Sequence, residues 1–231
     1  MTAQSWPSGT HYVTEANLAA SFFKGVTTGG DASLLFEKKN NEWHGQSWKQ
    51  VADTVSRIAN LLITAGVGPG DRVMISAENR PEWAIADLAI ISIGAIVVPA
   101  YVTNTEDDHY FIMEHSGAAA VITSGGNLAL RIALAAGRTT SLHPLIAMDN
   151  DTVLPAKKSL TIHLWDEAVT NTEPLANIDQ LIDQQKPDDV CCFIYTSGTG
   201  GRPKGVMLTH RSIQANITAA LELLTEGNVA S

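Results

Sequence analysis

From Ser47 to Thr123 the sequence repeats one alternation: apolar residues at three- and four-residue steps, a turn rich in Gly, Pro or Asn, then a short run of consecutive apolar residues. This pattern narrows the accessible folds more than any other feature. Strands that alternate with helices pair in parallel through right-handed crossovers and give an α/β fold. Ser47 and Gln50 make a capping box, and Trp48, Val51, Ala52, Val55, Ile58, Ala59 and Leu62 supply the helical stripe that Gly66 stops. Gly68-Pro69-Gly70-Asp71 then turns the chain into a strand over Arg72 to Ser76. Asn79 can cap a second helix, with Pro81 in its first turn, running to about Gly94 and apolar on most sides. A strand over Ala95 to Val98 ends at Pro99, Thr103 and Glu106 make another capping box for a helix through His115, and Ala118 to Thr123 is a further strand.

Beyond Ser124 the pattern predicts a helix over Asn127 to Ala136 and a strand near Leu145 to Met148. The chain therefore divides into a weakly patterned segment 1–46, helix and strand repeats over 47–148, an acidic loop-rich stretch over 149–189, and a strand, glycine-rich loop and helix over 190–226. Its 231 residues suffice for a buried core. The net charge of −9 speaks against nucleic acid as a main partner, since phosphate-backbone binding needs a basic surface. The charge is uneven. Asp149 to Asp189 holds nine acidic residues against three basic ones, whereas Thr196 to Arg211 holds Arg202, Lys204 and Arg211 and no carboxylate, the setting of an anion site.

Cys191 and Cys192 are adjacent and have no partner elsewhere, which points to a reducing, cytoplasmic setting. The first 25 residues lack the basic start and apolar run of a secretory signal. The most apolar stretch, Leu88 to Val98, is 11 residues long, short of the roughly 20 needed to span a bilayer. Peripheral contact with a membrane stays open.

The segment Tyr195-Thr196-Ser197-Gly198-Thr199-Gly200-Gly201-Arg202-Pro203-Lys204-Gly205-Val206 reads as a loop between a strand and a helix. Its glycines let backbone amides approach a ligand, its hydroxyls donate hydrogen bonds, and Lys204 adds positive charge on a stem that Pro203 stiffens. A polyphosphate suits such a loop. The Walker A pattern fails because Lys204 lies between Pro203 and Gly205, and the dinucleotide fingerprint fails because position 203 is not glycine.

These residues resemble the signature of the AMP-forming adenylating enzymes, an aromatic residue followed by Thr-Ser-Gly-Thr-Thr-Gly-x-Pro-Lys-Gly-Val, departing from it only at Gly200. Ser76 to Trp83, Ala86 to Ala89, Gly94-Ala95, Pro99, Tyr101 and Glu114 to Gly117 further resemble the N-terminal domain of the long-chain fatty acyl-CoA synthetase branch. The resemblance implies ATP, Mg²⁺ and coenzyme A as cofactors or co-substrates, and small molecules as partners. It implies that Thr196, Ser197, Gly198, Thr199, Gly200, Gly201 and Lys204 hold the phosphates, with Thr199 assisting the metal. It also implies an adenine segment ending in Thr-Glu, a ribose-binding Asp and a C-terminal catalytic Lys, none of which this sequence displays. The chain is accordingly expected to be an incomplete N-terminal AMP-binding domain, inactive alone, with the catalytic residues beyond Ser231. An aryl- or amino-acid ligase and a non-catalytic nucleotide- or acyl-binding module are the alternatives.

Four other groups favour plainer readings. His109, Glu114 and His115 fit no zinc spacing and read as helix surface. Glu106, Asp107 and Asp108 sit in a helical first turn, where negative charge is favoured anyway. Cys191 and Cys192 read as buried strand residues. His210 reads as a solvated residue at a helix start or, less simply, as part of a substrate entrance.

Overall fold

The computed structural model describes residues 15–139, 144–154, 160–196 and 202–226, the final three by backbone alone. Helix α1 (Leu18–Gly29) is capped by Asn17, whose side chain accepts from the Ala20 amide at 2.8 Å. It leads into an antiparallel hairpin, β1 (Ser33–Lys39) and β2 (Glu42–Ser47). Asn40 and Asn41 form the tip with φ of 50° and 68°, the left-handed conformation that a two-residue hairpin turn demands. Ser47 ends β2 and caps α2 (Trp48–Thr64) through the expected box with Gln50. Gly25 and Gly29, one turn apart on α1, lie so close to the Trp48 ring that a Cβ on either would clash with it. The weakly patterned N-terminal segment is thus fitted to a core made later in the chain.

A second sheet carries the architecture. It comprises β3 (Arg72–Ser76), β4 (Ile96–Pro99), β5 (Ala118–Thr123), β6 (Pro144–Ala147), β7 (Thr161–Leu164), β8 (Val190–Thr196) and β9 (Lys204–Thr209). The order is β7-β6-β5-β3-β4-β8-β9, with every neighbouring pair parallel except β8 and β9. The linking helices are α3 (Pro81–Ser92), α4 (Glu106–Ser116), α5 (Gly126–Ala136), α6 (Trp165–Asn171), α7 (Ile178–Asp183) and α8 (His210–Glu226). Successive strand residues point to opposite faces, so β3 sends Val73 and Ile75 into a core shared with α1, α2, α3, α6 and α7, and Met74 into one shared with α4 and α5. Arg72 fastens this centre. Its guanidinium donates to the carbonyls of Ser116, Gly117 and Gly70 at 2.7, 2.8 and 2.9 Å, joining the start of β3 to the end of α4.

The α/β class with a mostly parallel sheet is the one expected, and several boundaries move. The α4 box is Thr105 with Asp108 rather than Thr103 with Glu106, because Asp108 reaches back to the Thr105 amide at 2.9 Å. Asn79 does not cap α3; Arg80 holds that position without a side-chain cap bond, and Pro81 alone presets the first turn. The acidic stretch 149–189 holds more structure than a loop, contributing edge strand β7 and two short helices anchored by buried Trp165, Ile178 and Ile182. His109 is not on the helix surface. It is fully buried, and both ring nitrogens lack a partner among the described residues.

Burial, aided by the nearby Arg131 charge, lowers the His109 pKa to about 4 against the upward pull of Asp108. A histidine held neutral in the fold and free to protonate when unfolded stabilises the fold above about pH 6.5, and that contribution fades as pH falls toward 4. His163 and His210, also lowered by burial, act in the same sense. Asp87 acts oppositely, since burial raises its carboxyl to about 6 and the fold gains as acid neutralises it. His109→Leu is therefore expected to gain stability relative to the parent as pH falls, in urea titrations at about pH 7.5, 5.5 and 4.5. A pH-independent difference would reject the neutral buried imidazole.

Candidate functional site

The signature segment lies between two strands, not between a strand and a helix as its sequence suggests. β8 ends at Thr196, and the chain returns antiparallel as β9, pairing Tyr195 with Gly205 and Thr196 with Lys204. The return is a strand because Val206, Met207 and Leu208 follow without a helical start signal until Thr209, whose side chain accepts from the Ser212 amide at 3.2 Å. Gly205 packs beside the Tyr195 ring, which passes 3.4 Å from where a Cβ would stand, an ordinary contact distance. The expected phosphate residues Thr196 and Lys204 are thus brought opposite each other on the last rung of the ladder, both exposed. Ser197, Gly198, Thr199, Gly200 and Gly201 lie outside the described residues.

The local charge differs from the sequence count. Arg211 makes a two-bond ion pair with Asp188 at 2.6 and 2.9 Å, so it is neutralised by a carboxylate 23 residues upstream. Arg202 lies over the Phe111 ring, 5.4 Å from its centroid. Lys204 makes no ion pair among the described residues. Two cavities flank this corner. One of about 420 Å³ is lined by Tyr101, Asn104, Ile194 and Thr196, the other of about 590 Å³ by Asp107, Tyr110, Glu114, His115, Arg138 and Arg202, and Asp108, Phe111 and Pro203 line both.

Sequence reasoning missed the ring cluster on α4. His115 Nδ1 is 2.8 Å from the Tyr195 hydroxyl, and the His115 ring stacks on Phe111 with centroids 5.2 Å apart. The only sequence signal was the Glu114-His115-Ser116-Gly117 match, whose partner stands 80 residues away. A second constellation sits at the carboxyl ends of β3 and β5, where the strand order reverses, a common ligand crevice in open α/β sheets. Here the chain fills it with its own groups. Arg80 pairs with Glu82 at 2.8 Å and Asp149 at 2.6 Å, Asp149 accepts from the Gly125 amide at 2.8 Å, and the Ser124 hydroxyl donates to Glu78.

The remaining candidates resolve structurally. Glu106 and Asp107 pair with Arg138, and Asp108 serves the cap. No group of three or more His, Cys, Asp or Glu among the described residues could hold a metal ion. His210 is not solvated; it is buried, and its Nδ1 accepts from the Leu18 amide at 3.2 Å, tying α8 to α1. No helix among the described residues is long and apolar enough to cross a membrane.

A mostly parallel sheet covered by helices on both faces, whose last two strands flank a glycine-rich segment, defines the class of α/β protein to which the chain belongs. The sequence profile of the family described as AMP-binding enzyme matches residues 23–229, and the chain belongs to that family. It is 30% identical over 201 residues to the long-chain-fatty-acid–CoA ligase ACSBG2 of Xenopus laevis, covering 86% of this chain and 27% of that protein. It is 29% identical over 204 residues to the long-chain-fatty-acid–CoA ligase FadD15 of Mycobacterium tuberculosis, covering 88% and 33%. The chain thus spans a third or less of the length of these relatives. Its fold matches the anthranilate CoA ligase AuaEII, crystallised with anthranoyl-AMP, at a TM-score of 0.70 and 19% identity, covering 88% of this chain and 36% of that one. A benzoate CoA ligase from Burkholderia xenovorans LB400 matches at 0.68 and 22%, covering 84% and 35%.

Cys191 and Cys192 are free thiols in β8, and burial, reinforced by Asp87, pushes both up to about 12. They are therefore expected to react with a soluble aromatic disulfide at about pH 8 at least about 100-fold more slowly in the folded chain than in the denatured chain. Comparable rates would restore them as candidate nucleophiles.

Proposed function

We propose that this chain supplies the polyphosphate-binding part of an enzyme that activates a carboxylic acid with ATP and passes the acyl group to coenzyme A. In the first step a carboxylate oxygen attacks the α-phosphorus of ATP, forming an acyl-adenylate as pyrophosphate leaves. In the second, the coenzyme A thiol attacks the acyl carbonyl, and AMP leaves as the thioester forms. The carrying observation is the Thr196–Lys204 rung, which sets a hydroxyl and an ammonium side by side at the mouth of the signature segment. Lys204 offsets charge on the β- and γ-phosphates and the departing pyrophosphate, while Thr196, Ser197, Gly198, Thr199, Gly200 and Gly201 donate hydrogen bonds from hydroxyls and backbone amides. Gly200 contributes an amide only, so it takes no hydroxyl role.

A long-chain fatty acid is the proposed substrate, supported by the relatives' names. The free cysteine pair suits a reducing, cytoplasmic setting. Thr199 is the candidate to assist Mg²⁺, whose contribution when bound is to neutralise phosphate charge. No group of three or more His, Cys, Asp or Glu among the described residues adds to it.

Lys204→Ala is expected to weaken ATP binding to the chain by about tenfold or more in calorimetric titration, the loss of one charge-assisted hydrogen bond. An unchanged affinity would remove Lys204 from the site. Because the chain spans a third or less of its relatives, it is also expected to catalyse no carboxylate-dependent ATP–pyrophosphate exchange by itself. Exchange would overturn that expectation.

A further inference from the structure

The last rung of the hairpin is held from the side by a helix that the signature does not include. Tyr195, the residue before Thr196, is buried among the α4 and α5 side chains, and its hydroxyl meets His115 Nδ1 at 2.8 Å. Phe111, one turn earlier on α4, stands edge-on to the Tyr195 ring at 6.3 Å and stacks on His115 at 5.2 Å. The same Phe111 ring lies beneath the Arg202 guanidinium on the returning side. One helix face thus touches the residue immediately before Thr196 and a residue two before Lys204. The hydrogen bond to Tyr195 persists in either histidine charge state, because the hydroxyl can donate to a neutral Nδ1 or accept from a protonated one.

We infer that His115 and Phe111 are positioning residues: through Tyr195 and Arg202 they fix where the Thr196–Lys204 rung sits, and so set how tightly it grips a polyphosphate. This rests on the polyphosphate reading above. Packing alone would hold Tyr195 in the core; the directional contact to His115 pins the hydroxyl end of the side chain and so restrains the backbone from which the rung follows. The cluster carries no group positioned on a phosphate, so its action is indirect.

The test uses the full chain and inorganic tripolyphosphate. His115→Phe keeps a ring against Phe111 and removes the bond, Tyr195→Phe removes it from the other side, and the double variant reports whether the two act as one unit. Each single variant is expected to weaken tripolyphosphate binding by about three- to tenfold, and the double by no more than the larger single effect, as for one shared hydrogen bond. In the absence of ligand, amide hydrogen exchange at Thr196 and Lys204 is expected to quicken by about threefold or more in both singles, while Ile122 in the sheet centre keeps its parent rate. Quickened exchange at Ile122 as well would instead report general destabilisation and overturn the inference. So would unchanged binding in His115→Phe and Tyr195→Phe while Lys204→Ala loses affinity, which leaves the polyphosphate reading intact. If Lys204→Ala also binds as the parent does, the polyphosphate reading fails and this inference falls with it.

Discussion

A parallel strand that is buried on both faces cannot be satisfied by local structure, and β3 is such a strand. Val73, Met74, Ile75 and Ser76 have no exposed surface, so apolar cover is needed above and below, and hydrogen-bonding neighbours on both edges. Each large apolar side chain buried in this way contributes about 1.5–3 kcal/mol. The chain meets the demand by sending β4 to one side with α3 on one face, then β5 to the other side with α4 on the opposite face. Arg72 closes the arrangement by donating to the carbonyls of Ser116 and Gly117 at the end of α4 and of Gly70 in the turn before β3, groups at the bottom of the sheet that need a partner.

The site inherits its position from this centre. β8 extends the sheet beside β4, and Tyr195 is rooted in the core on the α4 side, so the mouth of the signature segment is anchored by the same packing that encloses β3. The ligand crevice offered by strand reversal at β3 and β5 is filled by Arg80, Glu82, Asp149, Glu78 and Ser124, whereas the corner beside β8 keeps two cavities and a lysine with no ion pair among the described residues. The two corners of one sheet therefore differ in kind. One is closed by ion pairs among the protein's own side chains, and the other stays open although Asp107, Asp108 and Glu114 line its cavities.

Much of this is written in short-range pattern. The Ser47–Gln50 box, the α2 stripe and the β3 and β5 runs are local, and local rules find them. What escaped needs distant chain. Lys204-Gly205-Val206 follows a proline and glycines and carries no sign that it pairs with residues before the loop, so a helix seemed to come next. β7 is four residues long and gains its identity only from β6 beside it. His109 stands in the polar run Glu106-Asp107-Asp108, and only the packing of α4 on the sheet shows that it faces inward. The positive count over Thr196 to Arg211 overstated the site because Asp188 reaches Arg211 in space.

The pairing of Thr196 with Lys204 also has a consequence for how this gene can vary in length. Side chains along a strand alternate between faces, so one codon added or lost between Lys204 and Thr209, with the later pairing kept, would turn Lys204 to the opposite side of the sheet unless a bulge took up the change. Insertions in the stem are therefore a different class of event from replacements. A residue such as Gly200 can be exchanged in one step, whereas a change in the length of β9 keeps the lysine on its face only in steps of two residues or through a bulge like the irregularity this pair already has between Val190 and Cys192.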